Sequence, residues 1–263
     1  MDILQREDRG AVTHLTMNAP DRLNALSDAM LGALLHTLDM ISNEPDVRVV
    51  VLAGTGKAFC AGHDLKEMQA GRQAPDRGAA YFKDLFERCS ALMERIQTLP
   101  QPVIAQVHGI ATAAGCQLVA TCDLAIAADD TRFGVNGVNI GLFCSTPMVA
   151  LTRNIPRKAA FEMLTTGRFV NTREAYALGL INRAVPADML AREVREMADV
   201  IASKLPSAVK IGKQAFYQQA QMTTQEAYDY AGDIMVYNMM EPDTDEGITA
   251  FLEKRAPGWS NKD

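Results

Sequence analysis

The first half of the chain alternates short β-rich runs with a helical pattern of apolar residues. The runs Ala11 to Met17 and Val47 to Leu52 predict two strands, and each ends at a turn-forming segment, Asn18-Ala19-Pro20-Asp21 and Ala53-Gly54-Thr55-Gly56. Between the strands, apolar residues recur three and four positions apart from Met30 to Ile41, which is the spacing of a helix with one buried face. This order predicts a β–α–β unit.

The same order repeats further along the chain. A loop from Lys57 to Asp64 precedes a predicted helix from about Arg77 to Leu99, and Val103 to Val107 predicts the next strand. A stretch of small residues from Gly109 to Gly115 then leads into a short helix, and Leu124 to Ala127 predicts a further strand. We therefore expect an α/β fold built from repeated strand–helix units.

The last part of the chain shows a helical pattern only. From about Arg157 onward we predict six helices and no strands: Arg157 to Leu164, Thr172 to Leu178, Ala187 to Lys204, Ala208 to Ala220, Thr224 to Met240 and Asp245 to Lys254. Methionines concentrate near the end of this block, which is typical of packing surfaces and subunit interfaces. We expect residues 1–200 to form a core that carries the site, and residues 201–263 to form a helical oligomerisation region.

The composition is that of an ordinary globular protein. The chain has 263 residues, of which 48% are hydrophobic and 22% are charged, and these values exclude a disordered or collagen-like chain. The formal net charge of −6 argues against a nucleic-acid binder, because neutralising phosphates requires clustered Lys and Arg. Five cysteines without a C-x-x-C pair indicate buried thiols, and they predict neither a disulfide framework nor a metal site.

Two features bear on the location of the protein. The N-terminal segment MDILQREDRG alternates charges and lacks the basic and apolar regions of a targeting peptide, so we expect a cytoplasmic protein. The most apolar stretch, Val103 to Ala128, is interrupted by polar and charged residues that are costly in a lipid-exposed helix. The sequence therefore predicts no membrane span.

Two segments of small residues each lie between a predicted strand and a predicted helix. They are Phe59-Cys60-Ala61-Gly62-His63-Asp64-Leu65 and Gly109-Ile110-Ala111-Thr112-Ala113-Ala114-Gly115-Cys116. At such positions backbone N–H groups can face a ligand without obstruction by side chains. Neither segment has the signature of a phosphate loop or of a dinucleotide-binding turn. Tight packing between helix and sheet is the alternative explanation for the small residues.

Five stretches, in order along nearly the whole chain, carry a resemblance to the crotonase, or enoyl-CoA hydratase/isomerase, superfamily. They are residues 18–26, 56–68, 102–116, 122–127 and 246–255. Residues 111–118 and 138–147 resemble one branch of that superfamily most closely. The resemblance implies a spiral of ββα units followed by a C-terminal helical region that trimerises, giving a homotrimer or a dimer of trimers.

The resemblance also implies an acyl-CoA thioester as the ligand, and no cofactor beyond the coenzyme A moiety of that substrate. The thioester oxygen is expected to lie in an oxyanion hole made by the backbone N–H groups of His63 and Ala114. Backbone donors aimed at a developing enolate oxygen stabilise the charge as it forms.

Contacts with the coenzyme itself follow from the same motifs. The resemblance assigns adenine recognition to the carbonyls of Ala61, His63 and Leu65, and it places Arg22 and Leu23 beside the nucleotide. The remaining contacts are Lys66 near the phosphates, and Phe251 and Lys254 from a neighbouring subunit. For the three charged residues, the alternative is a solvated surface charge.

The chain departs from the family at the two positions where hydratases carry their glutamates. Gln117 replaces the first glutamate and Gly137 the second. Because neither an amide nor a glycine can exchange a proton near neutral pH, we expect inefficient hydration. The sequence thus predicts a lyase or isomerase of the enoyl-CoA hydratase/isomerase family, and a non-catalytic acyl-CoA-binding protein is the alternative.

Three further roles concern the same region of the predicted site. Cys144 is a candidate base if its pKa is depressed, and a buried thiol is the alternative. Gly137, having no side chain, is expected to open room for a bulkier acyl group or for an external anion such as bicarbonate. The side chain of His63 is a second candidate for proton transfer, although the family uses the backbone at that position.

Overall fold

A computed structural model describes residues 2–259 of the chain. Within these residues there are nine strands: β1 (Leu4–Arg9), β2 (Val12–Met17), β3 (Val49–Gly54), β4 (Val103–Val107), β5 (Ile110–Thr112), β6 (Leu124–Ala128), β7 (Arg132–Gly134), β8 (Phe169–Asn171) and β9 (Arg183–Val185). The last four residues of the predicted oligomerisation region lie outside the described part.

Eleven α-helices connect and cover the strands in the same described part of the chain. They are α1 (Asp28–Ile41), α2 (Leu65–Gly71), α3 (Ala79–Thr98), α4 (Ala114–Thr121), α5 (Ser145–Asn154), α6 (Arg157–Thr166), α7 (Thr172–Leu178), α8 (Leu190–Ala202), α9 (Pro206–Gln219), α10 (Thr224–Met239) and α11 (Pro242–Leu252). Three short 3₁₀ helices, among them Asn136–Ile140, complete the described elements.

The strands form two sheets. The larger sheet has the order β1-β2-β3-β4-β6-β9, and the smaller has the order β5-β7-β8. β1 pairs with β2 in the antiparallel sense, whereas every other pair of neighbours in the larger sheet is parallel. In the smaller sheet β5 and β7 are parallel and β7 and β8 are antiparallel.

Two strands followed by a helix form the repeating unit. β4 lies in the larger sheet and β5 in the smaller, and α4 follows them; β6, β7 and α5 repeat this arrangement. Each of these two turns of the chain thus adds one parallel strand to each sheet. The predicted α/β spiral of ββα units is confirmed, as is the helical region at the C-terminal end.

The core lies on both faces of the larger sheet. Val50 and Leu52 face the cluster that also contains the buried residues of α1 and α3, while Val49 and Val51 face Val194 on α8. Alternate residues of β3 therefore contact different helices. Because both faces of this strand are buried, its sequence is a continuous apolar run. This two-sided burial fixes the strand ends from which the loops of the site emerge.

The expectation of a purely helical chain from Arg157 onward is wrong. β8 and β9 both lie beyond Arg157, and they join the smaller and the larger sheet, respectively. Each has three residues, too few for an alternating pattern to be visible in the sequence. The charged strand β1 was also missed, because exposed residues at positions 5–9 leave it no apolar face.

A buried ion pair attaches the C-terminal helices to the core. Lys213 of α9 donates hydrogen bonds from Nζ to the carbonyl of Ile96, to the carbonyl of Gln101 and to Asp123 Oδ2, at 2.7, 2.9 and 2.7 Å. Tyr217 also donates to Asp123, at 2.8 Å. The carboxylate and the two carbonyls leave no ammonium hydrogen without an acceptor, which compensates for the burial of the charge.

The outer surface of α9, α10 and α11 exposes large apolar side chains. More than half of the surface of each of these is exposed: Phe216, Tyr228, Met235, Val236, Tyr237, Met239, Met240, Phe251 and Leu252. The predicted role of this region as a subunit interface stays a prediction. Among the described helices, none combines the length and the apolar character that crossing a bilayer requires.

Candidate functional site

A cavity of about 450 Å³ opens between two walls. We call Ala61–Met68 and Thr112–Ala114 together the donor wall, and residues 136–147 the opposing wall; Phe86 also contributes. The lining is mainly apolar, and no Asp, Glu, Lys or Arg belongs to it among the described residues. A site of this kind can hold an uncharged, largely hydrocarbon group.

The two segments of the donor wall meet through an unusually close backbone contact. Gly62 has φ +89°, and a Cβ there would lie 2.9 Å from Ala113 Cβ and 3.2 Å from Ala114 N. Cys60 pairs with Ala111 just before this contact, since Cys60 N donates to the Ile110 carbonyl and Thr112 N donates to the Cys60 carbonyl. Glycine is therefore required at position 62 by both its dihedral angle and its lack of a side chain.

Ala113 is the strained residue of this wall. It has φ 50° and ψ −120°, and it immediately precedes α4. A non-glycine residue at positive φ stores backbone strain, typically about 1–3 kcal/mol, and such strain concentrates at functional sites. Here it turns the chain so that α4 begins at the cavity with Ala114.

The N–H groups of His63 and Ala114 are both free at this wall. Ala114 is the first residue of α4, where helical N–H groups have no partner within the helix. Within the described residues, neither N–H group is among the backbone donors that find an acceptor. The pair forms a concentrated donor site, and the partial positive charge at the start of α4 adds to it.

Gln117 and Gly137, which replace the hydratase glutamates, lie in different surroundings. Gln117 is 4% exposed, is not among the cavity-lining residues, and has a buried Oε1 without a hydrogen-bond partner in the described part of the chain. Gly137 lines the cavity, but a Cβ there would lie 2.5 Å from the Leu142 carbonyl oxygen and 2.8 Å from Cys144 Sγ. The expectation that Gly137 opens room for a bulkier acyl group is therefore wrong.

The thiol at the cavity is not suited to act as a base, and a role of the His63 imidazole in proton transfer stays a prediction. Burial raises the pKa of Cys144, so the thiol stays protonated at neutral pH and the idea of a depressed pKa is wrong. Burial lowers the pKa of His63, whose ring is neutral and packs edge-on against Phe86. Nδ1 of His63 lies 3.4 Å from the Leu26 carbonyl oxygen, and Nε2 is buried without a partner among the described residues.

The residues expected to contact the nucleotide cluster beside the donor wall. Asp64 caps α2 by accepting hydrogen bonds from the N–H groups of Lys66 and Glu67, at 2.9 and 3.3 Å. Arg22 forms ion pairs with Asp64 and Glu67, each at 3.1 Å, and half of its side chain is exposed. Ala61 N donates to the Leu23 carbonyl at 3.0 Å, which brings the two segments together.

The structure places the other predicted contacts at the surface. Leu65 and Lys66 begin α2 and are exposed, so both can be reached by a ligand outside the cavity. Phe251 at the end of α11 is 81% exposed, and Lys254 follows the helix; neither lines the cavity of its own chain. A role for them from a neighbouring subunit stays a prediction.

Thr112 and Asn136 are cavity residues that the sequence analysis missed. The Thr112 hydroxyl donates to Asn136 Oδ1 at 2.5 Å, which joins the donor wall to the opposing wall. Asn136 directly precedes Gly137, and residues 133–141 resemble the family's F-G-x-P-E-x-N-x-G stretch, in which proline stands at the position of Asn136. That departure from the motif was the available signal, but only the register of β5 and β7 brings the two side chains together.

Relatives with similar sequences carry a common name. The chain is 41% identical over 261 residues to enoyl-CoA hydratase domain-containing protein 3, mitochondrial, of Xenopus laevis, covering 99% of this chain and 86% of that protein. It is 44% identical over 250 residues to the protein of the same name from Rattus norvegicus, covering 95% and 82%. The branch suggested by residues 111–118 and 138–147 is thereby confirmed as that of domain-containing protein 3.

These names also correct the expected location. The vertebrate relatives are named mitochondrial, which contradicts the expectation of a cytoplasmic protein. That expectation depended on the charge pattern of the first ten residues alone. The charge pattern of one segment bears only on a targeting peptide in that segment, so it is a weak basis for predicting where the protein is located.

Solved structures and the family's sequence profile agree with the relatives. The fold matches an enoyl-CoA hydratase of Mycobacterium smegmatis with a TM-score of 0.94 and 53% identity, over 98% of each chain. It matches human enoyl Coenzyme A hydratase domain-containing protein 3 with a TM-score of 0.93 and 41% identity, over 98% of this chain and 100% of that one. Because the enoyl-CoA hydratase/isomerase profile matches residues 7–262, the chain belongs to the enoyl-CoA hydratase/isomerase family.

Proposed function

We propose that this chain binds an acyl-CoA thioester in the cavity and stabilises its enolate through the N–H groups of His63 and Ala114. The observation that carries the proposal is the pair of backbone donors without acceptors at the wall of an apolar cavity. A thioester carbonyl placed between them receives two hydrogen bonds that strengthen as negative charge develops on the oxygen. One such donor typically contributes about 3 kcal/mol to the stabilisation of an oxyanion.

The proposed chemistry contains no proton transfer by a carboxylate. Hydration needs an acid and a base near the acyl chain, and each positioned group typically supplies about a hundredfold to a ten-thousandfold in rate. Gln117 cannot act in either role, and no Asp or Glu lines the cavity in the described part of the chain. We therefore assign the chain to enolate chemistry of the lyase or isomerase type, with inefficient hydration.

The coenzyme lies outside the cavity in this proposal. The carbonyls of Ala61, His63 and Leu65 accept hydrogen bonds from the adenine amino group, and Arg22 and Leu23 flank the nucleotide. Lys66 lies near the phosphates; it is exposed and forms no ion pair within the described residues. An exposed ammonium at the N-terminal turn of α2 is well placed to attract phosphate.

A homotrimer or a dimer of trimers completes the proposed site. Phe251 and Lys254 from a neighbouring subunit would close over the coenzyme. The exposed apolar side chains of α10 and α11 support an assembly, because isolated soluble chains rarely expose such a surface. Sedimentation of the purified protein at micromolar concentration tests this part, and a monomer would contradict it.

Carbonyl polarisation tests the oxyanion hole directly. Cinnamoyl-CoA is a conjugated thioester whose absorption moves to longer wavelength when donors polarise its carbonyl. We expect this shift on binding, and we expect butyryl-CoA to reverse it by displacing the probe. Binding without a spectral shift would contradict the assignment of His63 and Ala114, while failure of both thioesters to bind would contradict the cavity assignment itself.

A non-catalytic acyl-CoA-binding protein is the second candidate. The observation that favours it is the lining itself, which contains a neutral imidazole and a protonated thiol and, among the described residues, no carboxylate. Exchange of the α-hydrogens of butyryl-CoA in D₂O separates the two functions. Hydroxide or a buffer base removes the α-proton in this exchange, and D₂O returns a deuteron to the enolate. A protein that stabilises the enolate accelerates the exchange over the buffer rate, whereas a binding protein that merely holds the thioester leaves it unchanged.

A further inference from the structure

The ends of two neighbouring strands bring Ala114 and Asn136 to the same cavity. Thr112 and Gly134 are paired in parallel register at the ends of β5 and β7, and Ala114 and Asn136 each follow two residues later. Ala113 N donates to the Gly134 carbonyl at 2.9 Å, which is the last hydrogen bond of this pairing. Ala114 and Asn136 both line the cavity, so Asn136 faces the same bound group as one of the two oxyanion donors.

The side chain of Asn136 has a defined orientation. Its Oδ1 accepts the hydrogen bond from Thr112 at 2.5 Å, so the amide is held by its oxygen. The amide nitrogen of Asn136 donates no hydrogen bond to any of the described residues, and Asn136 lines the cavity. Two N–H donors are thus available to a molecule bound there, and Thr112 fixes the position from which they act.

We propose that Asn136, positioned by Thr112, determines specificity for acyl-CoA thioesters that carry a neutral oxygen, as a hydroxyl or keto group, on the first carbons of the acyl chain. The proposal rests on the proposed function, because the thioester must lie between His63 N and Ala114 N for its acyl chain to meet the amide. A hydrogen bond to that oxygen favours such a substrate over its plain hydrocarbon analogue.

The rest of the opposing wall limits the substrate to uncharged groups. Leu142, Phe143 and Pro147 present apolar surface to the same cavity, which suits a hydrocarbon chain beyond the oxygen. No Lys or Arg is among the described residues that line it. A carboxylate on the acyl chain would be buried without a cation, and one amide group does not compensate for that loss of hydration.

Calorimetric titration with two matched thioesters tests the proposal. Butyryl-CoA and 3-hydroxybutyryl-CoA differ by one hydroxyl group, and chromatography after each titration verifies that the ligand is unchanged. We expect the wild-type protein to bind the hydroxylated thioester about tenfold more tightly. In Asn136→Leu, which preserves the approximate size of the side chain, we expect the two affinities to become equal.

Asn139→Leu is the matched control. Asn139 belongs to the same 3₁₀ helix, Asn136–Ile140, but is exposed and does not line the cavity, so the preference should persist in this variant. If Asn136→Leu does not fold, as judged by circular dichroism, Thr112→Val replaces it. Freeing the amide from its hydroxyl partner should reduce the preference to about threefold, and an unchanged preference would overturn the positioning role of Thr112.

The outcomes separate this inference from the proposed function. Equal binding of both thioesters by the wild-type protein overturns the specificity role of Asn136 and leaves acyl-CoA binding intact. Binding of neither thioester overturns the proposed function. Malonyl-CoA, which carries a carboxylate, should bind more weakly than butyryl-CoA, and tighter binding would contradict the restriction to neutral groups.

Discussion

The two walls of the cavity differ in what they retain of a hydratase site. The donor wall holds two free backbone N–H groups, and a glycine and a strained alanine keep them in position. On the opposing wall, a glycine stands where a glutamate would be, and Leu142 and Cys144 occupy the space next to it. Most side-chain substitutions leave a backbone N–H group in place, whereas a single substitution removes a side chain that transfers protons. Enolate stabilisation and proton transfer can therefore be lost separately.

The largest effect is expected when a backbone donor of the donor wall is removed. Ala114→Pro deletes the N–H group at the first position of α4, where proline is otherwise tolerated in helices. We expect α-hydrogen exchange of butyryl-CoA to slow by about a hundredfold, while binding of the thioester weakens by less than about tenfold.

Ala114→Gly is the control, because it retains the N–H group. Its exchange rate should stay within about threefold of the wild-type rate, after thermal unfolding has shown that both variants are folded. Equal exchange rates in Ala114→Pro and Ala114→Gly would mean that this N–H group does not bind the oxyanion.

Rebuilding the opposing wall should fail for steric reasons. Gly137→Ala requires a Cβ in the place of the Leu142 carbonyl and the Cys144 sulfur, so we expect a loss of about 1–3 kcal/mol in the free energy of unfolding. Gly137→Glu should be at least as unstable, and should gain no hydration of crotonyl-CoA. Urea denaturation measures the first effect and loss of thioester absorbance the second.

Gly32→Ala is the matched control for Gly137→Ala. Gly32 lies within α1, and a Cβ there meets nothing within 4 Å. The substitution should stabilise the protein by up to about 1 kcal/mol, because alanine favours the helix. If Gly137→Ala were equally neutral, the opposing wall would have room that the structure does not show.

The depressed pKa of His63 should make stability fall on acidification. Burial lowers the pKa of His63 in the folded state below its usual value of 6.5. Below that pH the unfolded chain binds a proton that the folded state resists, so the free energy of unfolding decreases as pH falls. His63→Gln should lose less stability than the wild-type protein between about pH 7.5 and about pH 5.5.

His36→Gln provides the comparison for His63→Gln. His36 is exposed on α1, so its removal should leave the pH dependence of urea denaturation close to that of the wild-type protein. An identical pH dependence in all three proteins would show that the imidazole of His63 is not desolvated in the folded state.

The smallest effect is expected for Cys144. Because burial raises the pKa of its thiol, Cys144 is protonated at neutral pH and contributes no base. Cys144→Ala should therefore change the rate of α-hydrogen exchange by less than about threefold. A decrease of a hundredfold with unchanged binding of butyryl-CoA would restore Cys144 as the base.

The sequence predicted those parts of the molecule that have a long periodic pattern or a motif. The strand Val103–Val107 and the helix Thr172–Leu178 match their predicted bounds, and the donor wall follows from motifs around His63 and Ala114. The short strands β8 and β9 could not be predicted, because they depend on pairing with residues distant in the chain.

The opposing wall was predicted less well than the donor wall. The absence of glutamate at position 137 is visible in the sequence, but the filling of that space by Leu142 and Cys144 is a result of tertiary packing. The contact between Thr112 and Asn136 joins positions 24 residues apart through the register of two strands. Neither fact has a local signal.

The central claim is that enolate stabilisation persists where proton transfer by carboxylates has been lost. Its most direct test measures two rates on one preparation: exchange of the α-hydrogens of butyryl-CoA in D₂O, and hydration of crotonyl-CoA. The account predicts exchange well above the buffer rate together with hydration close to the uncatalysed rate. Rapid hydration, or binding of butyryl-CoA without any acceleration of exchange, would contradict it.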